Sequence, residues 1–162
     1  MSLNKILVTG ATGRLGANVV KQALDNGYQV RALRIPNDPK SFKLNAFDIE
    51  VVVGDLRDAK LCHQLLEGVE GVIHTANILG PPGGMSDAEF FDINVKGTFH
   101  VLEAARRNDH LQHLIFASTD GVYAKYPPGG VEEPIREDEM PRRPAGWYTL
   151  SKSMGEELCD GY

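Results

Sequence analysis

The stretch VTGATGRLG, Val8 to Gly16, places glycines at 10, 13 and 16 directly behind a short apolar run. Glycine weakens the regular elements it interrupts, so three at a fixed interval need a reason. KILVTG (Lys5–Gly10) reads as a buried strand ended by glycine. RLGANVVKQALDNG has Leu15, Val19, Val20 and Ala23 near helical spacing, with Gly27 as its stop. In the order strand, turn, helix, Gly10 makes a tight turn, Gly13 lets backbone approach a pyrophosphate, and Gly16 seats the helix on the strand. The helix start then offers free N–H groups and the positive end of its dipole to phosphate. A dinucleotide cradle built from Gly10, Thr12, Gly13, Arg14, Leu15 and Gly16 is expected here, with a merely structural turn as the alternative.

The remaining chain keeps the same rhythm. Tyr28–Arg34, Ile49–Asp55, Gly71–Ala76 and His113–Thr119 read as strands two to five. DAKLCHQLLEGV reads as a short helix, and Ser86 with Glu89 forms a capping box that opens a long helix to about Asn108. Residues 120–146 are rich in Pro, Gly and Glu, a length that in a compact domain marks a functional or mobile loop. WYTLSKSMGEELCDGY then resumes helix. Strands alternating with helices predict an α/β fold: a Rossmann-type doubly wound parallel sheet. Such a sheet normally has six strands. Only five are legible, so the chain reads as one domain over 1–162, truncated before the last strand and a C-terminal substrate part.

Composition narrows the function. A net charge of −5 with both signs interspersed gives no basic surface for nucleic acid. No apolar run approaches the ~20 residues of a membrane span, and the N-terminus enters a strand at once, unlike a signal peptide. The two cysteines, Cys62 and Cys159, form neither a disulfide framework nor a metal-ligand spacing. Reduced thiols in the cytoplasm and no metal are the expectation. His74 reads as packed within its strand, while His110 and His113 read as surface residues.

The end of the second strand separates two cofactors. An acid there binds the ribose of NAD, and an arginine suits the 2′-phosphate of NADP. This chain has Arg34, with Arg14 in the glycine turn and no acid before Asp38. NADP is favoured over NAD on that basis, ordinary surface arginines being the alternative. Asp55 either accepts from the adenine amino group or caps the helix that follows.

Tyr148 and Lys152 lie four apart, hence on one helical face. A free phenol has a pKa near ~10, and a neighbouring ammonium lowers it toward use as a base. Such a pair can move a proton while a nicotinamide moves a hydride. An inert surface pair is the alternative.

With TGATGRLG, GDLRD (Gly54–Asp58), VIHTA (Val72–Ala76), NVKGT (Asn94–Thr98), STDGVY (Ser118–Tyr123) and YTLSK in this order, the chain resembles an extended short-chain dehydrogenase/reductase of the epimerase/dehydratase type. The resemblance implies that Tyr148 is the acid/base and that Lys152 lowers its pKa and holds the nicotinamide ribose. It implies that Thr119, with Ser118 as its neighbouring substitute, bonds the reacting substrate oxygen. It places Asp55, Leu56 and Thr75, Ala76 and Asn77 along the cofactor, and Asn94 behind the active site, where it alternatively only satisfies buried backbone. It also implies a small-molecule substrate such as a nucleotide sugar, and a homodimer through the helix opening at Ser86 and the one holding Tyr148. One departure matters: the dehydratase form of STDGVY carries Thr-Asp-Glu, and Gly121 stands at the glutamate. Epimerase or dehydrogenase/reductase therefore ranks above dehydratase. A non-catalytic NAD(P)-binding sensor is the competing class. The acids of VEEPIREDEMPRR read as a solvated loop or as a lid.

Overall fold

The computed structural model describes residues 4–80, 85–123, 134 and 136–162. The glycine-rich part of the loop after the fourth strand and most of VEEPI, the first part of the segment that carries the lid reading, lie outside the described residues.

Among the described residues, five parallel strands form one sheet: β1 (Lys5–Thr9), β2 (Gln29–Arg34), β3 (Glu50–Val53), β4 (Gly71–His74) and β5 (His113–Phe116), in spatial order β3-β2-β1-β4-β5. That is the order of a Rossmann-type sheet through its fifth strand. Register follows side-chain alternation: Leu7 aligns with Val72 and Val72 with Leu114, so one face of three strands is apolar together.

The central strands β1, β2 and β4 bury side chains on both faces of the sheet, while the edge strands β3 and β5 leave Val51, Val53 and Ile115 exposed. Leu7, Leu33 and Val72 pack with Leu65 and Leu66 of α2 (Ala59–Leu66) and with Val101 and Ala104 of α4 (Gly97–Arg106). Ile6, Val8, Val30 and Ala32 pack on the other side with Val20 and Ala23 of α1 (Arg14–Asp25). This two-sided covering is the doubly wound arrangement expected of alternating strands and helices. Arg31, in the middle of β2, sends its guanidinium to the carbonyls of Leu65 and Glu67 at 2.7 and 2.9 Å, closing the C-terminal end of α2.

Three expectations change. The helix from Ser86 is not uniform: α3 (Asp87–Phe91) runs through a π-helical turn, Asp92–Lys96, into α4. The wide turn puts Asn94 against the loop after β4, where it binds Ile78. The capping box is present, with Glu89 N–H donating to Ser86 Oγ at 3.2 Å and Ser86 N–H to Glu89 Oε2 at 3.0 Å. Second, β4 and β5 stop at His74 and Phe116 rather than at Ala76 and Thr119. Beyond His74 the neighbouring β1 has turned away at Gly10, so the backbone finds other partners. Third, Asp55 does not cap α2. Asp58 does, accepting from Lys60 N and Leu61 N at 2.9 and 3.2 Å, while Asp55 holds the Arg57 backbone N–H and guanidinium at 2.9 and 2.6 Å. That guanidinium holds the Asp55 carboxyl below its usual range against the opposing effect of burial.

The turn after β1 shows what its glycines do. Gly10 has φ +63°, and a Cβ there would lie 2.8 Å from Ala76 Cα. A Cβ on Gly16 would lie 2.2 Å from the Gly10 carbonyl oxygen, whereas on Gly13 it would lie 3.1 Å from the same atom. Crowding at 16 is backbone against backbone and relaxes only by moving α1 off β1. Gly16→Ala is therefore expected to cost roughly 2–3 kcal/mol, about 5–10 °C in thermal midpoint, and Gly13→Ala distinctly less. Melting curves of the two variants followed by circular dichroism check this, and equal losses would contradict it.

Candidate functional site

In a doubly wound sheet, ligands bind beyond the carboxyl ends of the strands where the strand order reverses. Here that place lies between β1 and β4. The glycine turn follows β1, Thr75–Asn77 follow β4 and Ser118–Thr119 follow β5, so all three open on the same edge.

The cradle is bare of side-chain caps. Helix α1 begins at N-cap Gly13, has no side-chain cap and has no acid in its first turn. Helices α2 and α3, by contrast, are capped by Asp58 and Ser86. An uncapped helix start behind a glycine turn leaves N–H donors and the dipole available to an anion. The residues present thus fit the pyrophosphate of a dinucleotide, and a side chain at Gly10 or Gly16 would fill the cradle. Arg14 and Leu15 are exposed, Leu15 by 55%. Thr12 is buried and donates to Asp38 Oδ2 at 2.5 Å, while Asp38 Oδ1 accepts from Lys40 N at 2.8 Å. Sequence reasoning missed this role of Asp38, which the turn Ile35–Asp38 folds back onto the glycine loop. Arg34 is half-buried, donates to Ile35 O at 3.3 Å and forms no ion pair among the described residues. It lines a cavity of about 370 Å³ with Ser41, Leu44, Asn45, Phe47 and Val51. Leu56 is buried, and its carbonyl accepts from His100 Nδ1 at 2.8 Å.

The far side of the site is built on α5 (Trp147–Asp160). It approaches β5 closely at Gly155, where a Cβ would lie 2.4 Å from Phe116 Cζ. Tyr148 and Lys152 share this helix as expected. Their electrostatics do not follow the expectation, however. Lys152 is only 3% exposed, donates from Nζ to Ala117 O at 2.5 Å and sits 4.5 Å from the Phe116 ring centre. Burial pushes its ammonium down to about 8. The Tyr148 phenol stands above its usual value, raised by burial and by Asp120, with no lowering from Lys152. In this arrangement Lys152 does not lower the phenol, because helical spacing brings two side chains to one face but does not aim the ammonium. A tertiary carbonyl, Ala117 O, captures it.

Ser118 and Thr119 line a cavity of about 350 Å³ with Asp120, Tyr123, Glu137 and Glu156. Ser118 donates its hydroxyl proton to Glu156 in a very short contact. Thr119 Oγ1 accepts from Gly121 N at 3.3 Å and donates to Asp120 Oδ1 at 3.2 Å. Gly121 is small for a local reason: a Cβ there would lie 2.7 Å from Thr149 Cγ2 on α5. Asn94 spans both of its sequence readings, since its amide satisfies Ile78 N–H and C=O at 2.9 and 2.8 Å and also donates to Ser151 Oγ at 3.2 Å. Glu156 was not anticipated, although it lies one helical turn beyond Lys152 on the same face. Its Oε2 is buried without a hydrogen bond among the described residues, 3.5 Å from Arg142 Nη2.

The folded-state value of Lys152 lies below that of an unfolded lysine. Between about 8 and ~10.4 the unfolded chain holds the proton and the folded chain does not, so this group makes stability rise with pH in that window. Below about 8 the buried charge is a cost of roughly 3 kcal/mol, partly offset by what Lys152→Met would lose at Ala117 and Phe116. The variant is expected to melt about 3–6 °C higher at pH 7 and to lose the alkaline gain. Calorimetry at pH 7 and pH 9.5 checks this; a lower midpoint would mean that the hydrogen bond and ring contact outweigh desolvation.

The comparisons agree with this geometry. The profile of the NAD dependent epimerase/dehydratase family matches residues 6–162. The chain is 34% identical to a uronate dehydrogenase of Pseudomonas syringae pv. tomato over 98% of its own length and 54% of that protein. It is 34% identical to a putative UDP-glucose 4-epimerase of Methanocaldococcus jannaschii over 97% of its own length and 50% of that protein. Among solved structures it matches a short-chain dehydrogenase/reductase superfamily protein from Agrobacterium tumefaciens with bound NAD, at TM-score 0.79 and 31% identity, over 96% of this chain and 44% of that one. WbmG of Bordetella bronchiseptica, in complex with NAD and UDP, superposes at TM-score 0.80 with 27% identity, over 97% of this chain and 49% of that one. The chain spans about half the length of the curated relatives it matches. With its strand order, its uncapped glycine cradle and these matches, the chain belongs to the NAD dependent epimerase/dehydratase family, the extended short-chain dehydrogenase/reductases.

Proposed function

We propose that residues 1–162 are the NAD(P)-binding half of an enzyme that oxidises or epimerises a hydroxyl-bearing carbon of a sugar acid, nucleotide sugar or related small molecule. The observation that carries this reading is the uncapped N-terminus of α1 behind the glycine turn, opening on the same sheet edge as Thr119 and α5. The names of the relatives, uronate dehydrogenase and UDP-glucose 4-epimerase, support the substrate class. When bound, the nicotinamide supplies the hydride acceptor or donor. Gly10, Gly13 and the first N–H groups of α1 hold the pyrophosphate, and Thr75–Asn77 form the wall beside it.

Tyr148 carries the proton. Its raised pKa suits a phenol that stays protonated and donates to a substrate oxygen gaining negative charge. In the oxidising direction the same group must lose its proton, and Lys152 assists once its ammonium leaves Ala117 O for the phenol or the cofactor ribose. Thr119 orients the substrate oxygen, with Ser118 beside it as the substitute; both hydroxyls are held by carboxylates, Thr119 by Asp120 and Ser118 by Glu156. The small residue at 121 supports dehydrogenase or epimerase chemistry over water elimination.

Tyr148→Phe is expected to reduce turnover at least about 100-fold while cofactor affinity changes less than twofold. Activity is read as NAD(P)H absorbance with uronic acids and UDP-sugars, and affinity by fluorescence titration. Unchanged turnover would leave only a cofactor-binding sensor. A preference for NADPH over NADH rests on Arg34 and Arg14 and on the lack of an acid at the end of β2. Paired titrations decide it, and equal or reversed affinity would refute it; the solved relatives cited above hold NAD.

A further inference from the structure

The last residue of β4, His74, is 1% exposed and lies between two threonines. Its Nδ1 is 2.6 Å from Thr9 Oγ1 and its Nε2 is 3.0 Å from Thr98 Oγ1. Proton counting assigns every bond. Thr98 Oγ1 donates its only proton to Asn94 O at 2.7 Å, because a carbonyl can only accept. His74 Nε2 must therefore donate to Thr98. In a neutral ring Nδ1 then accepts, and Thr9 supplies the proton. Thr9 Oγ1 in turn accepts from Ala76 N at 3.2 Å, which leaves its own proton for the ring.

We infer that His74 is a positioning residue, a neutral imidazole protonated on Nε2 that ties the wall of the cofactor cradle to the helix bearing Tyr148. The string starts at Ala76, whose Cα lies 2.8 Å from where a Gly10 Cβ would sit. It passes through Thr9, His74 and Thr98 to Asn94. From there the Asn94 amide reaches Ser151 Oγ at 3.2 Å, and Ser151 donates to the Tyr148 carbonyl at 2.7 Å. Thr75 Oγ1 adds a parallel bond to Thr9 O at 2.7 Å. Each hydroxyl in the string donates once, so the bonds support one another and fix the relative height of the two halves of the site.

The surroundings keep the ring neutral. From β5, Phe116 packs with its centre 5.7 Å from that of His74, and from α5 the Lys152 ammonium lies over the same phenyl ring. Burial, and then the Lys152 charge, push His74 down to about 3. A phenylalanine would fill the same space but leave Thr9 and Thr98 without their shared partner, which is costly for buried hydroxyls.

The Nε2 proton is assigned by the hydrogen-bond geometry, and the bare Nδ1 by that geometry together with burial beside the Lys152 ammonium; the link to the cofactor rests on the proposed NAD(P) site. In 15N-labelled protein, the His74 side-chain correlations are expected to show one protonated Nε2 and one bare Nδ1, unchanged from pH 5 to pH 9. A ring protonated on Nδ1, or one that titrates in that range, overturns the assignment. In binding titrations with NADH and NADPH, His74→Phe is expected to weaken the better cofactor roughly tenfold, and His74→Gln, which keeps a donor for Thr98, to recover part of that loss. Thr98→Val is the companion variant if His74→Phe does not fold, with the same direction expected together with a mixed tautomer. Folded variants that bind as tightly as wild type overturn the positioning role. Failure of the wild-type protein to bind either cofactor instead refutes the proposed function and leaves the tautomer result standing.

Discussion

At the turn leaving β1, three stretches of backbone meet with no side chain between them. The Gly10 carbonyl oxygen occupies the place where a Gly16 Cβ would stand, and Ala76 Cα lies 2.8 Å from where a Gly10 Cβ would stand. Contacts this close are open only to glycine, and they set how deeply α1 sits on the sheet. They also place the uncapped helix start at the mouth of the gap where β1 and β4 part. The apolar layers on either face, Leu7 with Val72 below and Val8 with Val20 above, then hold a geometry that the turn has already decided.

The other half of the site is governed by burial. Lys152 and His74 flank one phenyl ring, Phe116, and neither is exposed. The protein keeps the imidazole neutral and tolerates a depressed ammonium, which puts one cation rather than two into a dry region. The ammonium rests on a backbone carbonyl, and the phenol of Tyr148 stays protonated beside Asp120. Preorganisation at this site therefore lies in backbone and hydrogen-bonded threonines, while its charges sit in a resting arrangement.

Much of this was legible in the residues. The strand–glycine–helix opening, the alternation of strands and helices and the capping box at Ser86 are local patterns, and local geometry realises them. Boundaries failed where a neighbour withdrew: Thr75 and Ala76 have strand-like sequence but no strand beside them once Gly10 turns. The Tyr148–Lys152 pair was visible as spacing, yet the partner of the ammonium was not, because Ala117 O lies just past β5, thirty-five residues away. The partners Asp38 for Thr12 and Glu156 for Ser118 were missed for the same reason: no periodicity links residues twenty-six and thirty-eight apart.

The amino-acid sequence by itself determined the class of sheet, the position of the phosphate cradle and the helical face that carries Tyr148 and Lys152, since each depends on residues within a few positions of one another. Only the tertiary structure decided which atoms those groups meet: that Lys152 bonds a carbonyl, that Asp58 rather than Asp55 caps α2, that His74 bridges two threonines. Hydrogen bonds and desolvation act across space at about 3 Å, and the chain brings those atoms within that distance only when the sheet and helices close on one another.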